Sequence, residues 1–328
     1  MKWKALTELL TGHKTYLQTH NFPDPDALAS AYGLQQFLKK YGVETKLCYD
    51  GSLDTLSAKR MVMEFGMEIY PASECRDMKK EDYIVTVDGQ KYNANFTDLI
   101  GDEVACIDHH PTFIQCNYKF SDIRIVGACS SIVAHYYYES GTDMDTDVAT
   151  ALLYGLRMDT SSMSRGVTEL DIEMFGYLHR QADNHKIMKL WVNTMELGDL
   201  KAYGAAIENI HIIDGIGFVY IPFSCNDALI AMISEFILSL NEVSGSVVYA
   251  DRNGGYKFSV RSMMDDVHAG MLVSNALEGI GNGGGHAAMA GGLLFSDSRE
   301  RLCENLNIEK VIEQRFLKVL HKGCNAIR

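Results

Sequence analysis

The 328-residue chain has no run of eighteen apolar residues, so nothing in it reads as a membrane-spanning helix. Its first stretch, MKWKALTELLTGHKTYL, lacks the long apolar core of a secretory leader, and a cytoplasmic protein is expected. Positive charge is also scarce. Thirty Lys and Arg stand against 43 Asp and Glu, a formal net charge of −13. That balance disfavours a broad grip on duplex nucleic acid, which relies on neutralising many phosphates with basic side chains. A small anionic substrate would therefore need local help, such as metal ions. None of the eight cysteines (Cys48, Cys75, Cys106, Cys116, Cys129, Cys225, Cys303, Cys324) falls in a CxxC pair, which suits reduced thiols better than a disulfide framework or a zinc site. Internal repeats and low-complexity tracts are absent too. With 47% hydrophobic and 22% charged residues, the composition is that of an ordinary globular protein long enough for two hydrophobic cores.

What is present falls into two regimes. In the first half, short β-prone runs (KTYLQTH, VETKLCY, YIVTV, VACI) alternate with helical periods such as Ala27, Leu28, Ala31, Leu34, Leu38 and Tyr41. This βα alternation predicts an α/β fold with a mostly parallel sheet flanked by helices. Helices are expected from about Cys129 to Glu139 and from Asp145 to Met158, and TELD at Thr168 to Asp171 reads as a capping box opening another. The stretch from Asp183 to Asn209 is helical and polar. Beyond it GIGFVYIPF, GSVVYAD and YKFSVRS read as strands, with RNGG supplying hairpin turn chemistry between the last two. The organisation expected is a first domain over 1–185, a helical connector over 186–209 and a smaller C-terminal α/β domain over 210–328.

The acids and histidines sit where the first-half strands end. THNFPDPD places His20, Asp24 and Asp26 in a loop before a helix. YIVTVDGQ delivers Asp88, and VACIDHHP delivers Asp108, His109 and His110. Alone, an acid and two histidines after a strand read as a solvated turn. In a parallel sheet, however, these loops share the carboxyl edge where such folds assemble their sites. Asp159 in YGLRMDTSSMSRG adds a fourth acidic loop. Clustered like charges repel unless cations neutralise them, and oxygen and imidazole ligands without thiolate favour Mn²⁺, with Mg²⁺ or Fe²⁺ as alternatives.

Taken together, HNFPDPD, TVDGQ, IDHHP and RMDT, then VRS and GNGGGH, resemble the DHH-family phosphoesterases that carry a DHH-associated C-terminal domain. The overall plan is most similar to their nanoRNase and pAp phosphatase group. The resemblance implies a binuclear manganese site, with His20 and Asp24 on one ion, Asp26, His109 and Asp159 on the other, and Asp88 bridging. It also implies that Asp108 orients a histidine, that His110 faces the substrate phosphate, and that Arg261, Ser262 and the loop Gly283, Gly284, Gly285 and His286 hold the far end of the substrate across an interdomain cleft. A homodimer is a family-based expectation. The chain departs from the family pattern at Gly89 and Gln90, where a small hydroxyl residue or alanine is more usual, and at Asn282, where GGGGH is commoner.

Such a site would act by hydrolysis. Two divalent ions about 3.5–4 Å apart can share a bridging hydroxide and stabilise in-line displacement at phosphorus. Asp88, Asp108 and His110 are the expected catalytic residues, and the expected substrates are nanoRNA, linear dinucleotides such as pApA or pGpG, and pAp. Competing readings are a nucleotide sensor without turnover and other DHH hydrolases: a single-strand exonuclease, a cyclic-dinucleotide phosphodiesterase, or a pyrophosphatase or exopolyphosphatase. Seven histidines (His13, His135, His179, His185, His211, His268, His321) read as surface or satisfied residues. The run Tyr136 to Tyr138 reads as helix packing, and GACSS at Gly127 to Ser131 reads as ordinary N-capping.

Overall fold

The alternation of apolar runs and helical periods becomes, in the computed structural model, two compact units spanning Met1–Thr194 and Met195–Arg328. All residues are described except 193, 194, 304–306 and 326–328. The unit boundary falls inside the polar helical stretch, whose two helices divide between the units. Cys303, Cys324 and the last residues of the expected 210–328 domain lie outside the described side chains.

The first unit runs α1 (Lys2–Leu10), β1 (Thr15–Thr19), α2 (Pro25–Lys40), β2 (Thr45–Tyr49), α3 (Leu56–Glu64), β3 (Ile69–Pro71), β4 (Tyr83–Val87), β5 (Asp102–Asp108), β6 (Phe120–Ile123), α4 (Cys129–Ser140), α5 (Thr146–Asp159), α6 (Glu169–His179) and α7 (Asn184–Trp191). Its six strands are parallel in the order β3-β2-β1-β4-β5-β6. The chain winds outward from β1 in one direction and from β4 in the other. The carboxyl ends of these two neighbours therefore form the topological switch point, where open α/β sheets leave a crevice. Both faces are covered, Leu17, Leu47 and Val85 packing with the helices and Tyr16, Cys48 and Ile84 with Cys75, Met78 and Leu99, so every residue of β1 is buried and the strands read as near-continuous runs rather than alternating ones.

Local chemistry sets the helix entries. Asp24 caps α2 by accepting the N–H groups of Asp26 and Ala27, and Pro25 takes the first helical position, where its missing N–H costs nothing. The TELD capping box forms at α6, with Asp171 accepting the Thr168 N–H at 2.8 Å. Asp171, fully buried, also accepts from the Gly127 N–H and the Ser131 hydroxyl, which ties α6 to the start of α4. Gly155 lets α5 pass close to α2 and α4: a Cβ there would lie 2.6 Å from Ser130 Oγ and 3.1 Å from Asp26 Cα.

The second unit runs α8 (Leu200–Glu208), β7 (His211–Ile213), β8 (Ile216–Ser224), α9 (Asp227–Leu238), β9 (Gly245–Arg252), β10 (Gly255–Ser262), α10 (Ala269–Ala276), β11 (Gly281–Gly285), β12 (Met289–Leu294), α11 (Ser296–Cys303) and α12 (Ile308–Asn325). Its mixed sheet has the order β11-β12-β10-β9-β8-β7. Asn253 and Gly254 take positive φ, 48° and 82°, as the two-residue β9–β10 turn requires. One difference from the expected pattern concerns the glycine-rich stretch. Gly281 to Gly285 form an edge strand paired with β12 rather than a loop, because α10 packs against them so closely that a Cβ on Gly270 would sit 2.3 Å from the Gly285 carbonyl.

Candidate metal centre

Strand register assembles the site. Thr19 of β1 pairs with Val87 of β4, so the next residues, His20 and Asp88, emerge side by side. Val87 pairs in turn with Ile107 of β5, whose carbonyl accepts the Asp88 N–H at 2.9 Å, and Asp108, His109 and His110 follow. Asp88 has φ +58°, a left-handed conformation that a non-glycine residue adopts at a cost and that marks a constrained position.

Within this cluster Asp88 stands between two imidazoles. Its Oδ2 lies 3.7 Å from His20 Nε2, and its Oδ1 lies 3.3 Å from His109 Nε2. His109 Nε2 is also 3.3 Å from Asp159 Oδ2, and His20 Nε2 is 4.0 Å from Asp24 Oδ1. Both rings are aimed from behind: His20 Nδ1 contacts the Asn21 carbonyl at 2.8 Å, and His109 Nδ1 contacts that of Val126 at 3.0 Å. Fixing Nδ1 in this way directs Nε2 to the site and sets the tautomer a metal ligand needs. Among the described residues, three sets bring ligand atoms within 4.8 Å of one another: His20, Asp24 and Asp88; Asp26, His109 and Asp159; and Asp88, His109 and His110. The third set differs in kind. His110 Nδ1 is 2.9 Å from Asp108 Oδ1 and 3.8 Å from Asp88 Oδ1, so ligation through it would break the Asp108 contact.

Asp26 is held by a helix that the sequence does not connect to it. The N–H groups of Cys129 and Ser130 donate to its two oxygens at 2.7 and 3.0 Å, and the Ser130 hydroxyl donates to Oδ1. The start of α4 thus serves a carboxylate from α2 instead of receiving a local side-chain cap, which corrects the N-capping expected for GACSS. Asp159 ends α5, where a carboxylate is poorly placed for the helix dipole, and Arg165 returns to donate to its carbonyl at 2.8 Å.

Proton affinities reflect this crowding. Burial together with Asp88 and Asp159 pushes the Asp26 carboxyl well above the ordinary carboxylate range, against the pull of His109. Burial and Asp24 raise Asp159 to about 6. For Asp88 the burial penalty is outweighed by His109, His20 and His110, and its carboxyl falls to about 2. Burial lowers His109, but Asp88, Asp26 and Asp159 more than offset it and lift the ring to about 11. A protonated imidazole here occupies the electrostatic place of a cation. The carboxylates fit divalent ions on a further ground: Asp88 Oδ1 is buried without a hydrogen-bond partner.

The remaining residues expected at the site belong to the second unit. Arg261 on β10 contacts Ser259 Oγ at 3.0 Å and Glu235 Oε1 at 3.4 Å. The Ser262 hydroxyl accepts the Met264 N–H, and the His286 N–H donates to Met289 O. Register brings these together at one end of that sheet, since Arg261 pairs with Met289 and Gly285 with Ala290. Among the histidines read as satisfied, His13 stacks on Tyr83, His179 on Phe175, and His321 pairs with Asp214. Tyr136 and Tyr137 are buried packing residues. No helix among the described residues is long and apolar enough to cross a membrane.

Residues 14–156 match the family model for the N-terminal domain of the DHH family. An uncharacterized protein of Methanocaldococcus jannaschii is 25% identical over 309 residues, covering 92% of this chain and 63% of that protein. A probable manganese-dependent inorganic pyrophosphatase of Streptococcus pyogenes is 27% identical over 155 residues, 46% of this chain and 50% of the relative. The chain thus spans less than two thirds of the length of either. The fold is shared with an exopolyphosphatase-related protein from Bacteroides fragilis, at a TM-score of 0.76 and 19% identity, covering 96% of this chain and 95% of that one.

Proposed function

We propose that the protein, whose residues 14–156 match the family model for the N-terminal domain of the DHH family, hydrolyses phosphoester bonds in short nucleotides (nanoRNA, linear dinucleotides such as pApA or pGpG, or pAp) with two Mn²⁺ ions. The observation that carries this reading is Asp88, whose two oxygens face different histidines while Oδ1 lacks a hydrogen-bond partner. His20 and Asp24 would hold one ion and Asp26, His109 and Asp159 the other, with Asp88 reaching both. When bound, such a pair supplies Lewis acidity at phosphorus and a water that ionises near neutral pH. The manganese dependence named for the streptococcal relative, 27% identical over 155 residues, supports the choice of metal.

The other side chains have separable work. His110, with 42% of its side chain exposed, is anchored through Nδ1 to Asp108, leaving Nε2 to face the substrate, where it can take up a proton and, once protonated, donate to a phosphate oxygen or the leaving group. Arg261, Ser262 and Gly283 to His286 of the second unit would hold the far end of the substrate, where a guanidinium suits a terminal phosphate. A second reading, pyrophosphate hydrolysis, is favoured by the similarity to the streptococcal enzyme over 155 residues. Purified protein with Mn²⁺ or EDTA, challenged with pAp, linear dinucleotides, a five-nucleotide RNA, cyclic dinucleotides and pyrophosphate, separates them. Metal-dependent cleavage of the linear dinucleotides is expected. Turnover of pyrophosphate alone would install the second reading, and binding without turnover would make the protein a sensor.

A further inference from the structure

Gln90 is one of three residues, with Gly89 and Asn282, at which the chain departs from the pattern of the family it resembles, and it is buried, with 2% exposure. Its amide Nε2 donates to Asp108 Oδ2 at 2.7 Å and to the His110 carbonyl at 3.0 Å. Both partners are acceptors, so only the amide NH₂ can face them. Asp108 is fully buried and its other oxygen is occupied as well: Oδ1 accepts the His109 N–H at 2.8 Å and faces His110 Nδ1 at 2.9 Å. Each Asp108 oxygen therefore has an assigned donor. The carboxylate is turned toward the His110 ring, and none of the three candidate metal-holding sets among the described residues includes it.

The neighbouring departure, Gly89, supports this placement. A Cβ at Gly89 would lie 2.9 Å from the Phe96 ring and 3.3 Å from His20 Cβ, so a side chain there would force the Phe96 ring to shift. Asp88 adopts its left-handed conformation immediately before. Gly89 and Gln90 thus form one device: the glycine threads the backbone past His20, and the glutamine arrives beneath Asp108.

From this geometry we infer that Gln90 is a positioning residue that clamps Asp108 against His110 and fixes the His110 tautomer with its proton on Nδ1 and Nε2 free for the substrate. The inference rests on the hydrolytic role proposed for His110, but its structural part does not. In Gln90→Met the side-chain volume is kept and both donated hydrogen bonds are lost. Asp108 is then free to turn, and the ring to flip or change tautomer. The protein's turnover number should fall about ten- to a hundredfold, the range seen when a residue supporting a ligand or base is removed, with KM changed less than about threefold. Manganese content should stay at the wild-type level.

The decisive readout is nitrogen NMR of His110 in metal-free protein with labelled histidine, assigned by the His110→Gln variant. Wild-type protein should show a single Nδ1–H tautomer and Gln90→Met a mixture. An unchanged tautomer in a folded Gln90→Met, or a fall in turnover explained wholly by lost metal, would overturn the inference. If Gln90→Met does not fold, Gln90→Glu tests the same clamp, since a carboxyl placed against Asp108 should also disturb the ring. An unaltered His110 spectrum there counts against the clamp. Failure of wild-type protein to hydrolyse any phosphoester would defeat the proposed function while leaving the NMR result to decide the clamp.

Discussion

Replacing Asp88 by asparagine removes one charge while keeping the shape of a side chain that is 2% exposed. The carboxylate offers one oxygen to each side, Oδ2 toward His20 and Oδ1 toward His109. An asparagine has a single acceptor, so one of the two ion positions would face an NH₂ group instead. The electrostatic loss adds to this. A unit charge about 4 Å from an opposite one, at an effective dielectric of about 20, is worth about 4 kcal/mol, or about a thousandfold in a dissociation constant. Asp88→Asn should therefore retain at most one Mn²⁺ after desalting, and titration calorimetry should show the second site weakened by about three orders of magnitude. Wild-type protein should gain thermal stability on adding Mn²⁺, since ions bind the folded state, and the variant should gain much less. Two ions bound at wild-type affinity in Asp88→Asn would refute the bridging arrangement.

Three further outcomes follow from the same geometry. His109→Ala should lose metal, whereas His110→Ala should keep it and lose mainly turnover number; metal analysis with steady-state kinetics checks this, and the reverse order would mean the roles are exchanged. Asp171→Ala should destabilise the first unit by about 3 kcal/mol or more, because the N–H groups of Gly127 and Thr168 and the Ser131 hydroxyl lose their acceptor inside the fold. Urea denaturation measures it, and a loss under about 1 kcal/mol would show that water replaces the carboxylate. Arg261→Ala should raise KM for linear dinucleotides about ten- to a hundredfold while leaving metal content unchanged, and an unchanged KM would remove Arg261 from substrate binding.

The sequence makes the candidate metal ligands legible for a physical reason. Parallel strands bring their carboxyl ends to one edge, so acids and histidines that follow such strands meet even when they are far apart in the chain. His20, Asp88 and His109 belong to this class. Contacts made through the backbone of a distant element leave no such mark. Nothing in GACSS shows that the Cys129 and Ser130 N–H groups serve Asp26, more than a hundred residues earlier. The clamp at Gln90 is hidden because a glutamine three residues past a strand reads as solvated until its burial is known. The β11 edge strand is equally obscure, since glycine has low strand propensity and Gly281 to Gly285 pair only because α10 and β12 confine them. Short elements with little periodicity, such as β3 and β6, also fall below what alternation can reveal.

The central claim is the position of two ions about one carboxylate, and anomalous diffraction at the manganese absorption edge tests it most directly. Crystals grown with Mn²⁺ should show two peaks per chain, both within coordination distance of Asp88. One should be shared with His20 and Asp24, the other with Asp26, His109 and Asp159, and His110 Nδ1 should remain on Asp108. A single peak, or a peak ligated by His110 Nδ1, would contradict the account.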